Sequence, residues 1–132
     1  MNILIISPGI LPVPAVNGGA VENLIEIFLE ENEKYNKNNI TVYSCQNDKA
    51  EKIANENYTL MITVDCGITG NEEIEYAKTF GIETIVTDHH EPAETLPDAL
   101  AVVDCKRKDN KYPFRELAGV GVAFKLAQAI SI

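Results

Sequence analysis

The sequence predicts an α/β fold, a single three-layer domain on a five-stranded parallel sheet, Rossmann-like or flavodoxin-like in plan. Three observations carry this. Short uncharged runs of Ile, Val and Leu recur along the chain, the pattern of strands covered on both faces. Between them lie segments with apolar residues at helical spacing and charged residues on the opposite side. These connections are long enough for right-handed β-α-β crossovers, which place successive strands in parallel. At 132 residues the chain is long enough for one core and too short for two, so residues 1–132 are expected to form one domain.

Ile3 to Ile6 reads as the first buried strand and breaks at Ser7-Pro8-Gly9. A proline-marked loop ends in Asn17-Gly18-Gly19. From about Ala20 to Tyr35, Val21, Leu24, Ile25, Phe28 and Leu29 recur at helical spacing, with Glu22, Glu26, Glu30 and Glu33 on the other side. Ile40 to Tyr43 is a short second strand, and Lys49 to Asn55 a helix with Ala50, Ile53 and Ala54 inward. Leu60 to Val64 is a third strand, central in character. Asn71 to Phe80 is a helix that Gly81 closes as a C-cap. Ile82 to Thr87 and Leu100 to Val103 are the fourth and fifth strands, and Val120 to Ile130 a last helix.

Chemistry collects at two strand ends. Val64-Asp65-Cys66-Gly67 and Thr87-Asp88-His89-His90 follow strands three and four, and neighbouring parallel strands lie only about 4.8 Å apart. Ligand sites of open α/β sheets gather at such carboxyl ends. Carboxylate and imidazole together suit Mn²⁺ or another first-row divalent ion, and a pair of such ions suits phosphoester hydrolysis. The plainer alternative is an aspartate capping the next helix and a histidine pair in a loop. Cys66 reads as a small buried residue rather than a soft metal ligand. Gly119-Val120-Gly121 is read as tight packing at a helix start in preference to a phosphate cradle.

The stretches LMITVDCGIT, EEIEYAKTFGIETIVTDHHEP, LPDALAVV and YPFRELAGVGVAFKLAQAI resemble the DHH phosphoesterase family, within it the bacterial single-strand-specific exonucleases. The resemblance covers residues 58 to about 130. It implies that Asp65 and His89 are metal ligands for Mn²⁺ or Mg²⁺. It also implies that His90 faces the scissile phosphate and that Asp88 supports the ligands, so His90 and Asp88 are the candidate catalytic residues. The family's Asp-Tyr-Asp motif after the first strand has no counterpart here, where the chain reads Ser7-Pro8-Gly9-Ile10-Leu11.

Residues 1–44, with ILIISPGILPVPAVNGGAVENLIE and ITVYS, resemble the opening of GT-B nucleotide-sugar glycosyltransferases. That resemblance implies cofactor binding at Gly18 and Gly19, where glycines and a helix N-terminus would admit a diphosphate. A join would then fall in residues 45–57. The expectation is an engineered chimera with vestigial active-site motifs and no catalysis of its own, requiring no cofactor and binding Mn²⁺ or Mg²⁺ only weakly. The alternative is a truncated DHH-type metal-dependent phosphoesterase.

Charge bears on partners. The net charge of −9 disfavours nucleic acid, whose binding rests on Lys and Arg displacing counterions. Lys106-Arg107-Lys108, with Lys111 and Arg115, is the local exception, and a solvated loop is its simpler reading. Three unpaired cysteines, Cys45, Cys66 and Cys105, suggest reduced thiols and a cytoplasmic protein. No apolar run reaches the roughly 20 residues of a membrane span, so no membrane partner is expected. A homodimer through the apolar segment 118–132 is expected.

Overall fold

A computed structural model describes residues 1–7, 20–35, 38–44 and 57–130. The expected Pro-rich loop, Asn17-Gly18-Gly19, the helix over 49–55 and nearly all of the proposed join lie outside these residues. The described chain runs β1 (Asn2–Ser7), α1 (Ala20–Tyr35), β2 (Asn39–Ser44), β3 (Leu60–Val64), α2 (Asn71–Thr79), β4 (Glu83–Asp88), β5 (Ala101–Asp104) and α3 (Gly119–Ile130). The five strands form one sheet in the order β2-β1-β3-β4-β5. Every pairing is parallel. This is the flavodoxin-like strand order, whose direction of winding reverses between β1 and β3.

Alternation along the strands builds two apolar layers. Ile3 and Ile5 of β1, with Ile62 and Val64 of β3, meet Ile25 of α1 and Ala123 of α3 on one face. Leu4, Met61 and Val86 point to the other face, against Ile74 and Ala77 of α2. Leu4 and Val86 are fully buried, as strands enclosed on both sides require. The side chains of α1 divide accordingly, with Val21, Leu24, Phe28 and Leu29 packed on the sheet.

The boundaries of β4 and β5 differ from the sequence expectation in one instructive way. Both strands run one residue past their apolar segments, so that Asp88 and Asp104 are paired in register as terminal residues. Backbone pairing continues there because each carboxylate accepts hydrogen bonds from main-chain N–H groups just beyond. Gly81 has φ +73° and its N–H bonds to the Lys78 carbonyl, ending α2 as expected.

Candidate metal centre

The loop after β3 is shaped by its own sequence. Asp65 adopts φ +62°, a left-handed conformation that aspartate tolerates better than most residues. Gly67 follows at φ +101°, and a Cβ there would come within 2.8 Å of Thr63 Oγ1, so the position demands glycine. Thr63 Oγ1 itself donates to the Cys66 carbonyl at 2.8 Å, closing the turn. The Asp65 N–H donates to the Thr87 carbonyl, which ties the turn to β4. Backbone strain held by its surroundings in this way is characteristic of functional sites.

From β4, Asp88 organises the facing half. It is buried, and its Oδ1 accepts from the N–H groups of His89 at 2.7 Å and His90 at 3.3 Å. The same oxygen lies 2.7 Å from His90 Nδ1, while Oδ2 accepts from the Ile68 N–H at 3.0 Å. Burial pushes the Asp88 carboxyl up, but the donors from Ile68, His89 and His90 outweigh it, leaving a net shift downward. Ionised Asp88 therefore holds His90 with Nδ1–H directed inward and Nε2 outward, the carboxylate–histidine arrangement that orients metal-site imidazoles.

The two halves meet at one point. Asp65 Oδ1 lies 3.0 Å from His89 Nε2. That oxygen is buried and has no hydrogen-bond partner among the described residues. Asp65, His89 and His90 each offer a ligand atom, all within 4.8 Å of one another. The His89 and His90 rings are tilted at 50° with centroids 4.6 Å apart. A buried carboxylate oxygen facing an imidazole nitrogen without a donor is an arrangement that a shared cation satisfies. The donor set therefore fits a first-row divalent metal, and Asp88 stands behind it rather than within it. Gly18 and Gly19 lie outside the described residues.

Three features of the surroundings escaped the sequence reading or were only half seen. Gly119, buried at the start of α3, presses on Asp65: a Cβ there would lie 2.7 Å from the Asp65 Cβ and closer still to its carboxylate. The first turn of α3 has no acidic residue, and the Asp65 carboxylate supplies the negative charge that a helix N-terminus favours. The packing reading of Gly119 holds, and what it packs against is the site. Burial first and the Asp88 charge second push the Cys66 thiol up to about 12, which keeps it protonated beside the three ligand atoms.

Asp104 is the third feature. It is buried at the end of β5 with Oδ1 accepting from the Lys106 N–H at 2.6 Å and Oδ2 unpartnered among the described residues. Burial, opposed by the Lys106 N–H and reinforced by the Asp88 charge, raises its pKa. The folded state therefore holds the Asp104 proton more tightly than the unfolded chain does. Its favourable contribution is complete below the ordinary value of 3.8 and is lost as pH rises through the raised folded value. Asp104→Asn is accordingly expected to raise the thermal midpoint at neutral pH, by on the order of 1 kcal/mol of stability. The gain should vanish below about pH 4 when melting is followed across pH; equal gain at every pH would contradict this account.

Carboxylate and imidazole at the carboxyl ends of adjacent parallel strands make this an α/β protein with a candidate metal-holding group on a flavodoxin-like sheet. Residues 15–132 match the DHH family, N-terminal domain, and the chain belongs to that family. It is 51% identical over 88 residues to the single-stranded-DNA-specific exonuclease RecJ of Bacillus subtilis, covering 67% of this chain and 11% of that protein. It is likewise 51% identical over 71 residues to RecJ of Salmonella typhimurium, covering 54% of this chain and 12% of the relative. The chain thus spans about a tenth of the length of these relatives. The crystal structure of Thermus thermophilus RecJ in complex with Mn²⁺ superposes with a TM-score of 0.67 at 26% identity, over 99% of this chain and 19% of that one. A second structure, exonuclease RecJ bound to manganese, shares the fold with a TM-score of 0.70 over 98% of this chain and 32% of that one, at 24% identity.

These likenesses overturn the expectation of an engineered, inactive chimera. The family match begins at residue 15 and runs through both α1 and the supposed join, and the RecJ structure superposes along nearly the whole chain. Nothing supports a glycosyltransferase segment in residues 1–44. The error has a physical origin: a buried strand, a glycine-bearing loop and an amphipathic helix open many parallel α/β sheets, so that pattern does not discriminate between families. The expectation that no cofactor is required also finds no support, since both RecJ structures contain manganese. Among the described residues no helix is long and apolar enough to cross a membrane.

Proposed function

We propose that this chain is the metal-holding part of a RecJ-like phosphodiesterase acting on single-stranded DNA with Mn²⁺. The observation that carries the reading is the convergence of Asp65, His89 and His90 within 4.8 Å, with a buried Asp65 oxygen that faces His89 Nε2 at 3.0 Å and has no hydrogen-bond partner among the described residues. A divalent ion there would lower the pKa of a bound water and offset phosphate charge. Asp65 and His89 would hold it from the ends of two strands. His90 is the more exposed imidazole and presents Nε2 to the phosphodiester, in reach of a phosphate oxygen or the leaving oxygen. Asp88 fixes the tautomer of His90 and, through the Ile68 N–H, the position of the β3–α2 loop.

β1 ends in Ser7, and the sequence from there to Val21 contains no carboxylate. Among the described residues one group of three ligand atoms comes together, and the reading is one ion held there. Calorimetric titration with Mn²⁺ is expected to give one site, weakened at least tenfold by Asp65→Ala and by His89→Ala. Mn²⁺-dependent hydrolysis of bis(p-nitrophenyl) phosphate should disappear with the same substitutions. A folded chain that takes up no Mn²⁺, or whose hydrolysis survives both substitutions, would refute the assignment.

A further inference from the structure

The acidic balance of the chain conceals a basic segment beside the site. Five of its eleven Lys and Arg residues fall between positions 106 and 115, where Asp109 is the single acidic residue. The segment starts beside the centre, and four residues after its end the chain reaches Gly119. Lys106 Nζ lies 3.4 Å from Glu91 Oε1, next to His90, and the segment leads into Gly119 against Asp65.

Its interior is held by structural hydrogen bonds. Arg107 pairs with Asp109 and donates to the Val102 carbonyl, and Arg115 Nη2 donates to the carbonyls of Lys106 at 2.8 Å and Arg107 at 3.2 Å. Asn110 Nδ2 donates to the Cys105 carbonyl at 2.6 Å, and Asn110 Oδ1 accepts from the Tyr112 N–H at 2.9 Å. These two arginines are spent on shape. Lys108 and Lys111 make no ion pair among the described residues and point their charge to solvent on a fixed loop.

Aromatic rings stand among these cations. Tyr112, Phe114 and Phe124 are 41%, 55% and 47% exposed, although apolar burial would favour covering them. Lys125 Nζ sits 5.7 Å from the Tyr112 ring centroid and 6.0 Å from that of Phe124, propping the two rings from α3. Alternating cations and exposed rings are what a single nucleic-acid strand recognises, with phosphates on the lysines and bases stacked on the rings. An acidic protein would use the lysines and leave the rings without purpose.

We propose that Lys108, Lys111, Tyr112, Phe114, Phe124 and Lys125 form the surface along which a single nucleic-acid strand approaches the metal centre. This rests on the phosphodiesterase reading for its destination but not for its binding chemistry. The test is fluorescence anisotropy of a 12-residue oligothymidylate with the full chain in EDTA, so that no hydrolysis intervenes. Lys108→Glu with Lys111→Glu is expected to weaken binding at least tenfold and to flatten the dependence of log K on log salt by about 1.4, at roughly 0.7 per lost phosphate contact. Tyr112→Ala should weaken binding roughly tenfold while leaving the salt slope unchanged.

Inorganic polyphosphate is the comparison ligand, and its binding should be insensitive to Tyr112→Ala. Absence of oligothymidylate binding by the parent chain overturns the proposal, as does an unaltered affinity in the double variant. Equal affinity for polyphosphate, with Tyr112→Ala affecting neither ligand, overturns it too. Mn²⁺ uptake is measured in parallel. If uptake is absent while oligothymidylate binding and its charge dependence persist, the site reading falls and the strand-binding surface stands.

Discussion

Gly119→Ala is expected to weaken Mn²⁺ binding strongly even though residue 119 offers no ligand atom. The added methyl would overlap the Asp65 side chain, at 2.7 Å from its Cβ and closer to the carboxylate. Backbone on both sides resists the shift that would make room. Asp65 is held in a left-handed turn by the bond from its N–H to the Thr87 carbonyl, and α3 is buried against the sheet through Val122 and Ala123. Overpacking of this kind costs about 1–3 kcal/mol, and more where backbone must move. Calorimetry should show Mn²⁺ affinity lower by at least tenfold, and the thermal midpoint should fall by several degrees. Gly121→Ala is the matched comparison, because its Cβ would meet only the flexible end of Leu117 at 3.3 Å. It should change stability by less than about 1 kcal/mol and leave metal binding intact. Equal behaviour of the two variants would remove the proposed wall between Gly119 and Asp65.

The second large effect is expected at Asp88. Asp88→Asn keeps the shape of the side chain but must turn an amide N–H toward at least one of the donors from Ile68, His89 or His90. A donor facing a donor in a buried position, together with the loss of charge-assisted bonds, amounts to roughly 2–4 kcal/mol. The pH dependence has a definite sign. The folded Asp88 carboxyl lies below its ordinary value of 3.8, so its contribution is present above that value and is lost as pH falls through the lower folded value. Thermal melting should therefore separate the parent chain from Asp88→Asn most widely near neutrality, and the curves should converge in strong acid. A constant separation at all pH values would mean that shape, not charge, is what the site takes from Asp88. His90, released from Asp88, should also lose its fixed tautomer, lowering turnover of a small phosphodiester more than Mn²⁺ affinity.

Much of this fold was legible because buried parallel strands write themselves as uncharged β-branched runs. Leu60–Val64 lies where its uncharged, largely apolar run places it, and α1 spans the expected residues. Strand order was not legible beyond a choice between two plans, since periodicity reports which face is buried and not which strand lies alongside. Asp65 and His89 could be anticipated because a polar residue directly after a buried strand sits at the sheet's carboxyl edge. Gly119 could be read as tightly packed, but its neighbour comes from a distant part of the chain and leaves no local pattern. Asp104, like Glu91, is readable in the sequence only as a spare carboxylate that could assist a metal, and its burial and orphaned oxygen depend on packing that sequence spacing does not reveal. Net charge misdirects attention in the same way, because a sum over the chain says nothing of where the lysines stand.

The contact between Gly119 and Asp65 also sets an order in time. Asp65 and the Asp-His-His run emerge from the ribosome before Gly119, and at roughly 5–20 residues per second the interval between them lasts some seconds. During that interval the ligands are already synthesised but the helix that confines Asp65 is not. α3 rests on β4 and on α1, so it can dock only on a sheet already assembled. Confinement of the Asp65 side chain is therefore a late event of synthesis, completed by a residue that offers no ligand atom of its own.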